Sequence, residues 1–279
     1  MDSLAPALDA RKEALIRRYG AQSLPAAGPW NDTIARMLEH RSVRSYKPDA
    51  VPEGTLETMI AAAQSAATSS NMKWTWVVPP PDPAKKKVLA QIAGNQKHIE
   101  DCPLFLCWIA DMNRHASISQ AENVEFETMP WLETFMVACI DVALAAQNAV
   151  VAAESLGLST LYIGAMRNDP EGVAKVFNLP KQAFVVFGLC VGYATETGAG
   201  EVKPRLSQAA VLHRERYDDS NADAERRAHD EEMTRFSARH ELQAGTWTQR
   251  VLNRLGPLKS MNGRERMRQA LARLGFEIR

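Results

Sequence analysis

The sequence predicts a fold with one sheet and more helices than strands, α+β or α/β, and three stretches carry that expectation. Residues 104–110 read LFLCWIA, apolar throughout, as in a central strand buried on both faces. Residues 131–157, WLETFMVACIDVALAAQNAVVAAESLG, form a long Ala-rich helix that is apolar almost all round. Beyond it, strand-like runs at Leu161–Ile163 and Ala183–Val191 enclose a short helix at Pro170–Phe177.

The remaining elements follow in chain order. Residues 1–29 are an extension containing Ala and Pro, with one short charged helix from Ala10 to Tyr19. NDTIARMLEHR, starting at Asn31, is an amphipathic helix with Asn31 or Asp32 as N-cap, where a short side-chain oxygen accepts an otherwise unpaired backbone N–H. Residues 55–66 form a second helix, and Thr68-Ser69-Ser70-Asn71 stop it because these types favour caps and turns. WTWVV is a strand, broken by PPPDP; residues 84–93 resume as helix and end at Gly94-Asn95. The long helix stops at Gly157, a C-cap glycine. Its small residues Ala138, Ala145, Ala149 and Ala152 would allow close helix approach, which favours a partner subunit, and Asp141 is either a functional residue or, on the same account, a polar residue facing a subunit interface.

After Lys203-Pro204-Arg205 the composition changes. Residues 215–232 carry eight acidic and three basic side chains, and residues 250–279 carry eight basic and two acidic; both read as amphipathic helices that wrap a core rather than build their own. The expected organisation is an extension (1–29), a core (30–214) and a C-terminal helical extension of the same domain (215–279).

Thirty-three basic and thirty-three acidic residues cancel, so no global charge draws the chain to nucleic acid or an acidic membrane. No window holds 18 uninterrupted apolar residues, and the first twenty lack an apolar run after a basic start, so neither a membrane span nor a secretory signal is expected. Cys102, Cys107, Cys139 and Cys190 lie in or beside apolar runs without a CxxC pair, which reads as buried reduced thiols in a cytoplasmic protein. The six histidines show no zinc spacing, and no metal is expected.

The polar clusters that remain suit anion and cofactor binding. His40-Arg41-Ser42-Val43-Arg44 places two guanidiniums, a hydroxyl and an imidazole within five residues. Arg supplies forked bonds to phosphate, although a basic helix C-terminus favoured by the helix dipole explains the motif equally well. Lys203-Pro204-Arg205 is a second basic pair on a stiff turn, or a solvated loop. Gly94-Asn95-Gln96-Lys97-His98 offers amide and ammonium donors, or is a polar turn. Tyr162-Ile163-Gly164 is a strand running into glycine, where a ligand can approach the backbone. There is no GxGxxG, no P-loop and no convincing acid/base dyad, a pattern that fits a protein lending binding and electrostatics to a cofactor.

Taken in order, HRSVRSYKPDAVP, AATSSN, GNQKH, ADMNRH, DVALAAQNAVVAAESLGLSTLYIGAMRND, FGLCVGY and VKPRLSQAAVLHRERY resemble the flavin-dependent nitroreductase family, in its NADPH-dependent oxygen-insensitive nitroreductase and flavin reductase branch. The likeness covers about residues 36–217, and Thr246-Trp247 extends it. It implies an α+β fold with a central mixed sheet flanked by helices, in an interlocked homodimer with FMN at the subunit interface. By the same resemblance His40, Arg41, Ser42, Lys203 and Arg205 hold the FMN phosphate and ribityl end. Arg44 lies near the N1/O2 edge of the ring, Ser69, Ser70 and Asn71 approach the cofactor, Gln96 bonds its polar edge, and Tyr162, Ile163 and Gly164 pack near N5/O4. Chemistry resides in the flavin, with NADPH or NADH as donor and nitroaromatics, quinones or free flavins as two-electron acceptors in a ping-pong cycle. Arg239 is the nearest residue to the family's nicotinamide-nucleotide arm. Lys73 stands where relatives often carry glutamine, Ala165 where a second glycine is common, and residues 1–29 precede the usual start. Relatives with the same fold also dehalogenate or reduce alkenes, and a non-turnover FMN-binding redox module is the reading from another class.

Overall fold

A computed structural model describes residues 8–21, 24–25, 28–80, 82–240 and 245–279. Parts of the expected N-terminal extension, one proline of PPPDP and residues 241–244 of the expected nucleotide arm lie outside the described residues. The helices are α1 (Leu8–Tyr19), α2 (Asp32–Leu38), α3 (Thr55–Gln64), α4 (Pro83–Ile92), α5 (His98–Asp101), α6 (Asn113–Glu122), α7 (Leu132–Ser155), α8 (Pro170–Phe177), α9 (Ala222–Arg239), α10 (Trp247–Leu255) and α11 (Met267–Arg273). The strands are β1 (Thr75–Val78), β2 (Leu104–Asp111), β3 (Ser159–Ile163) and β4 (Ala183–Gly192). The chain divides into two compact units, residues 1–41 with 200–260, and residues 42–199 with 261–279.

The second unit holds the sheet, in the order β1-β2-β4-β3. LFLCWIA occupies a central strand, as its unbroken apolar run predicts, and seven of the eight residues of β2 are buried. All three strand pairs are antiparallel; the parallel pairing of the expected mixed sheet is confined, among the described residues, to an isolated bridge between Ser42 and Thr160. On one sheet face α7 and α11 close a core around Trp108, Leu106, Phe184 and Phe276. On the other, α4 and α8 bury Leu89, Ile99, Phe105 and Val173.

Helix α7 corrects one expectation. Ala138, Ala145 and Ala149 do allow close approach, but to α3 and the core of their own unit, where they are buried; Asn148 Nδ2 also donates to Ala62 O at 3.2 Å. The face left exposed instead carries Leu132, Met136, Ile140 and Leu144, spaced four apart. Small residues seek the nearest backbone, and here that is α3. By length and hydropathy α7 is the one helix among the described residues able to cross a bilayer, yet its buried side carries Asp141 and Glu154, as in a core helix. Gly157 ends it with φ +80, a left-handed conformation that residues with a Cβ adopt only at a cost.

Helices α5 and α6 carry little apolar periodicity, and the sequence reading does not separate them from loop. The four cysteines are unpaired, with Cys102, Cys107 and Cys190 buried and Cys139 half-buried; burial pushes the Cys139 thiol up to about 11.

The first unit is held by polar contacts as much as by its apolar residues Ala14, Leu15, Met233 and Phe236. Asn31 caps α2 by accepting from Ile34 N at 3.0 Å, as expected. The acidic stretch expected to be helical from residue 215 becomes helix only at Ala222. Residues 215–221 instead turn locally, with Asp218 accepting Ser220 N at 3.0 Å. Such short-range competition from aspartate side chains is what delays the helix. The basic stretch from 250 is likewise broken into α10, two short 3-10 turns and α11.

Candidate functional site

Each unit holds some of the predicted site residues. In the first, the loop after α2 brings His40 and Arg41 into the same neighbourhood as Lys203 and Arg205, and the tie between the two segments is a residue that sequence reasoning missed. Arg18, on α1 and 5% exposed, donates from Nη1 to Lys203 O at 3.1 Å and from Nη2 to Leu38 O and to His40 O at 3.0 Å. Arg205 N donates back to Arg18 O at 2.8 Å. Between them Pro204 is buried while Lys203 and Arg205 are exposed, so the proline anchors the segment and both cations point outward. Arg41 is exposed and donates to Gly200 O at 3.4 Å.

A cleft of about 1000 Å³ opens beside these residues, lined by Arg17, Arg41, Pro204, Arg235 and Arg239 together with Glu39, Glu201 and Glu232. Arg239 does reach this cleft, but its guanidinium is paired with Glu201 at 3.0 Å, and that pairing holds the Glu201 carboxyl below the usual range. A nucleotide phosphate seeking Arg239 has to compete with that carboxylate.

In the second unit Ser42 is fixed by pairing with Thr160, Val43 N donating to Thr160 O at 3.1 Å with the Val43 side chain buried. That places the serine beside β3, two residues before Tyr162. Thr160 Oγ1 in turn donates to Glu154 Oε1 at 2.8 Å. Ser42 and Arg44 are exposed while Val43 and Tyr46 go inward, the Tyr46 hydroxyl donating to Val43 O at 2.9 Å.

Gln96 is half-buried and already bonded, its Nε2 to Ala93 O at 2.9 Å and its Oε1 to His98 Nε2 at 3.0 Å. Since Oε1 only accepts, this assignment puts the proton of neutral His98 on Nε2. Burial and then the nearby Arg44 charge hold His98 below its ordinary pKa, against an opposing pull from Asp101. Arg44, Gln96 and His98 thus form one polar cluster, and the histidine in it was read only as part of a turn.

Ser69, Ser70 and Asn71 form a tight turn in which Ser70 (φ 49) and Asn71 (φ 57) are left-handed, followed by Lys73 (φ 59). The turn is anchored by Asp141, which corrects the expectation of an interface aspartate. Asp141 is buried within its own unit and accepts Ser69 N at 3.1 Å, while its second oxygen is buried with no hydrogen-bond partner. Burial raises its pKa, partly offset by the Ser69 bond. The Lys73 carbonyl accepts from Arg114, and Lys73, Trp76 and Arg114 line a smaller cleft of about 400 Å³.

Tyr162 packs edge-on to Phe187 with centroids 5.0 Å apart, and its hydroxyl reaches Gln147 Oε1 at 3.4 Å. Gly164 opens a 3-10 turn in ordinary backbone geometry rather than a left-handed one; a Cβ there would meet the Arg167 guanidinium at 3.2 Å. Arg167, also missed, donates to Val186 O and so fixes this turn to β4. Ala165 is buried and faces the core, so a side chain there is no obstacle to a ligand.

Taken by itself, the first unit offers exposed cations suited to a phosphate, and the second offers a hydroxyl, an amide and a strand ending in glycine. Comparison with known proteins agrees. The Nitroreductase family profile matches residues 37–193, and that of the Nitroreductase family C-terminal domain matches residues 203–279. An FMN reductase (NADPH) of Bacillus subtilis is 35% identical over 80% of this chain and 91% of its own. An NADPH-flavin oxidoreductase of Vibrio harveyi is 34% identical over 81% of this chain and 91% of its own. Among solved structures, Bacillus megaterium NfrA2 superposes with a TM-score of 0.83 at 34% identity, over 90% of this chain and all of that one. With the profile spanning more than half its length, and relatives matched over most of theirs, the chain belongs to the nitroreductase family.

Proposed function

We propose that this chain is an FMN-dependent oxidoreductase that draws electrons from NADPH or NADH and passes them in pairs to small aromatic acceptors: nitroaromatics, quinones or free flavins. The observation that carries the reading is the outward presentation of Arg41, Lys203 and Arg205 from two segments tied through one buried arginine, in a chain whose relatives are named for NADPH and flavin. Guanidinium and ammonium groups on fixed backbone suit a doubly charged phosphate.

In this reading His40, Arg41, Ser42, Lys203 and Arg205 bind the phosphate and ribityl end. Arg44 supplies positive charge to the ring, with Gln96 as a polar partner whose amide is held in place by Ala93 and His98. Ser69, Ser70 and Asn71 approach the cofactor from their turn, and Tyr162, Ile163 and Gly164 offer backbone groups and packing. FMN, when bound, supplies the two-electron carrier chemistry that no side chain here provides. Arg239 is the residue assigned to the nicotinamide nucleotide, after release from Glu201.

The reading includes a homodimer, for which the exposed apolar row Leu132, Met136, Ile140 and Leu144 of α7 is the supporting feature, and a cytoplasmic location, supported by four unpaired cysteines. Sedimentation of the purified protein tests the first: a monomer at micromolar concentration rejects it. The central test is optical. The protein should be yellow, bleach anaerobically with NADPH or NADH, and recover colour on adding a quinone or nitroarene. A colourless chain that cannot be loaded with FMN would sink the reading. Arg41→Ala should weaken FMN retention through loss of charge-assisted bonds of about 1.5–3 kcal/mol each, measured by equilibrium dialysis; unchanged retention rejects the placement of Arg41.

A further inference from the structure

We infer that Arg18 is a positioning residue for the phosphate end of the cofactor site, which makes helix α1 a working part of that site. The inference rests on the FMN reading above and concerns a residue outside the matched family profile, which begins at residue 37.

The geometry is that of a cross-link. His40 and Arg41 lie on one segment and Lys203 and Arg205 on another, far apart in sequence, and loops this distant hold no fixed spacing unless something ties them. A planar guanidinium has five donors in a rigid fork, and Arg18 uses it to grip carbonyls on both segments at once, Leu38 and His40 on one side and Lys203 on the other. The Arg205 N–H closes the link onto the backbone of Arg18 itself. Every residue assigned to the phosphate in this unit is therefore one or two bonds from Arg18, and none needs to touch it through its side chain.

Burying a guanidinium is costly unless its donors are met, and carbonyl oxygens meet them here. A lysine has neither the fork nor the reach to hold both segments. Fixed donors bind more tightly than mobile ones because less freedom is lost on binding. Arg18 thus acts on the phosphate through others, and its removal should be felt by FMN and hardly at all by riboflavin, which has the same ring and no phosphate.

Apoprotein prepared from wild type, Arg18→Met and Arg18→Lys should be titrated with FMN and separately with riboflavin, following quenching of flavin fluorescence. Wild type should prefer FMN. Arg18→Met should bind FMN about tenfold more weakly with riboflavin affinity nearly unchanged, and Arg18→Lys should fall between. If Arg18→Met does not fold, Arg18→Lys alone decides, since it keeps the charge but not the fork. Equal losses for both flavins would mean a merely structural role, and an unchanged FMN preference in the soluble variants would mean none; either overturns the inference alone. A wild-type chain that binds neither flavin overturns the FMN reading and this inference with it.

Discussion

In the first unit Asp230 accepts hydrogen bonds from Thr248 N at 2.8 Å, Thr248 Oγ1 at 2.6 Å and Arg226 Nη1 at 3.4 Å, while in the second Asp141 accepts Ser69 N at 3.1 Å and its other oxygen has no partner. The two carboxyls respond in opposite directions. Burial alone would push Asp230 up, but the Thr248 bonds and the Arg226 charge outweigh it and hold the group below its ordinary value. Burial raises Asp141, and the single Ser69 bond does not cancel it. The first unit uses its aspartate as a fastener between α9 and α10. The second draws its stability from an apolar core, and spends some of it to hold a turn with an under-satisfied group.

That contrast can be broken at several strengths. Trp108→Ala, at the centre of the second unit's core, should destabilise the protein by about 3–5 kcal/mol in urea unfolding; a much smaller loss would mean the core does not carry this unit. Asp230→Ala should cost about 1–3 kcal/mol, because it leaves the Thr248 N–H and hydroxyl without their acceptor. The pH dependence has a defined sign. With a lowered folded pKa, the contribution of Asp230 is present above the unfolded aspartate value and is lost as pH falls through the folded one. The variant should therefore lose part of the acid limb of the stability curve, and an unaltered acid limb contradicts the fastener.

Asp141 is expected to behave in reverse. Its raised folded pKa makes its titration contribution greatest below the ordinary aspartate value, and that contribution is lost as pH rises through the folded pKa. Asp141→Asn keeps an acceptor for Ser69 N and removes the charge, so the variant should gain on wild type as pH rises from acid towards neutral, read by thermal melts across that range. A pair of parallel curves would reject the burial argument. Smallest of all, Arg227→Ala breaks the pair with Asp223 at 2.6 Å, both side chains more than 60% exposed, and should leave the unfolding midpoint unchanged within error.

The parts legible in the sequence are those where local chemistry and global packing agree. LFLCWIA is apolar because it is central, Asn31 caps because its neighbours need an acceptor, and Pro170–Phe177 is a helix with those bounds. Helix α6 was not legible because NRHASISQAE buries His115 and shows no apolar stripe. The acidic stretch before Ala222 failed for a different reason, since aspartates that favour a helix N-terminus also satisfy turns. Within the site, the basic and hydroxyl residues announced themselves by type. Arg18 and Asp141 did not, because their tasks are set by partners 185 and 72 positions away. Ala138 and Ala149 are contact residues, as their size predicts, but the contact lies within the core of their own unit.

The chain leaves and re-enters each unit, since residues 42–199 are completed by 261–279 and residues 1–41 by 200–260. Leu271, Leu274 and Phe276 belong to the same apolar core as Trp108, and Arg279 N donates to Pro130 O while Leu132 N donates to Arg279 O. On the ribosome, then, the sheet can be made long before α11 has emerged, and for that interval one side of a hydrophobic core faces water. Such a protein does not fold piece by piece in the order of its synthesis. The second unit waits for residues 261–279, and until they arrive the apolar face they cover stays open to association.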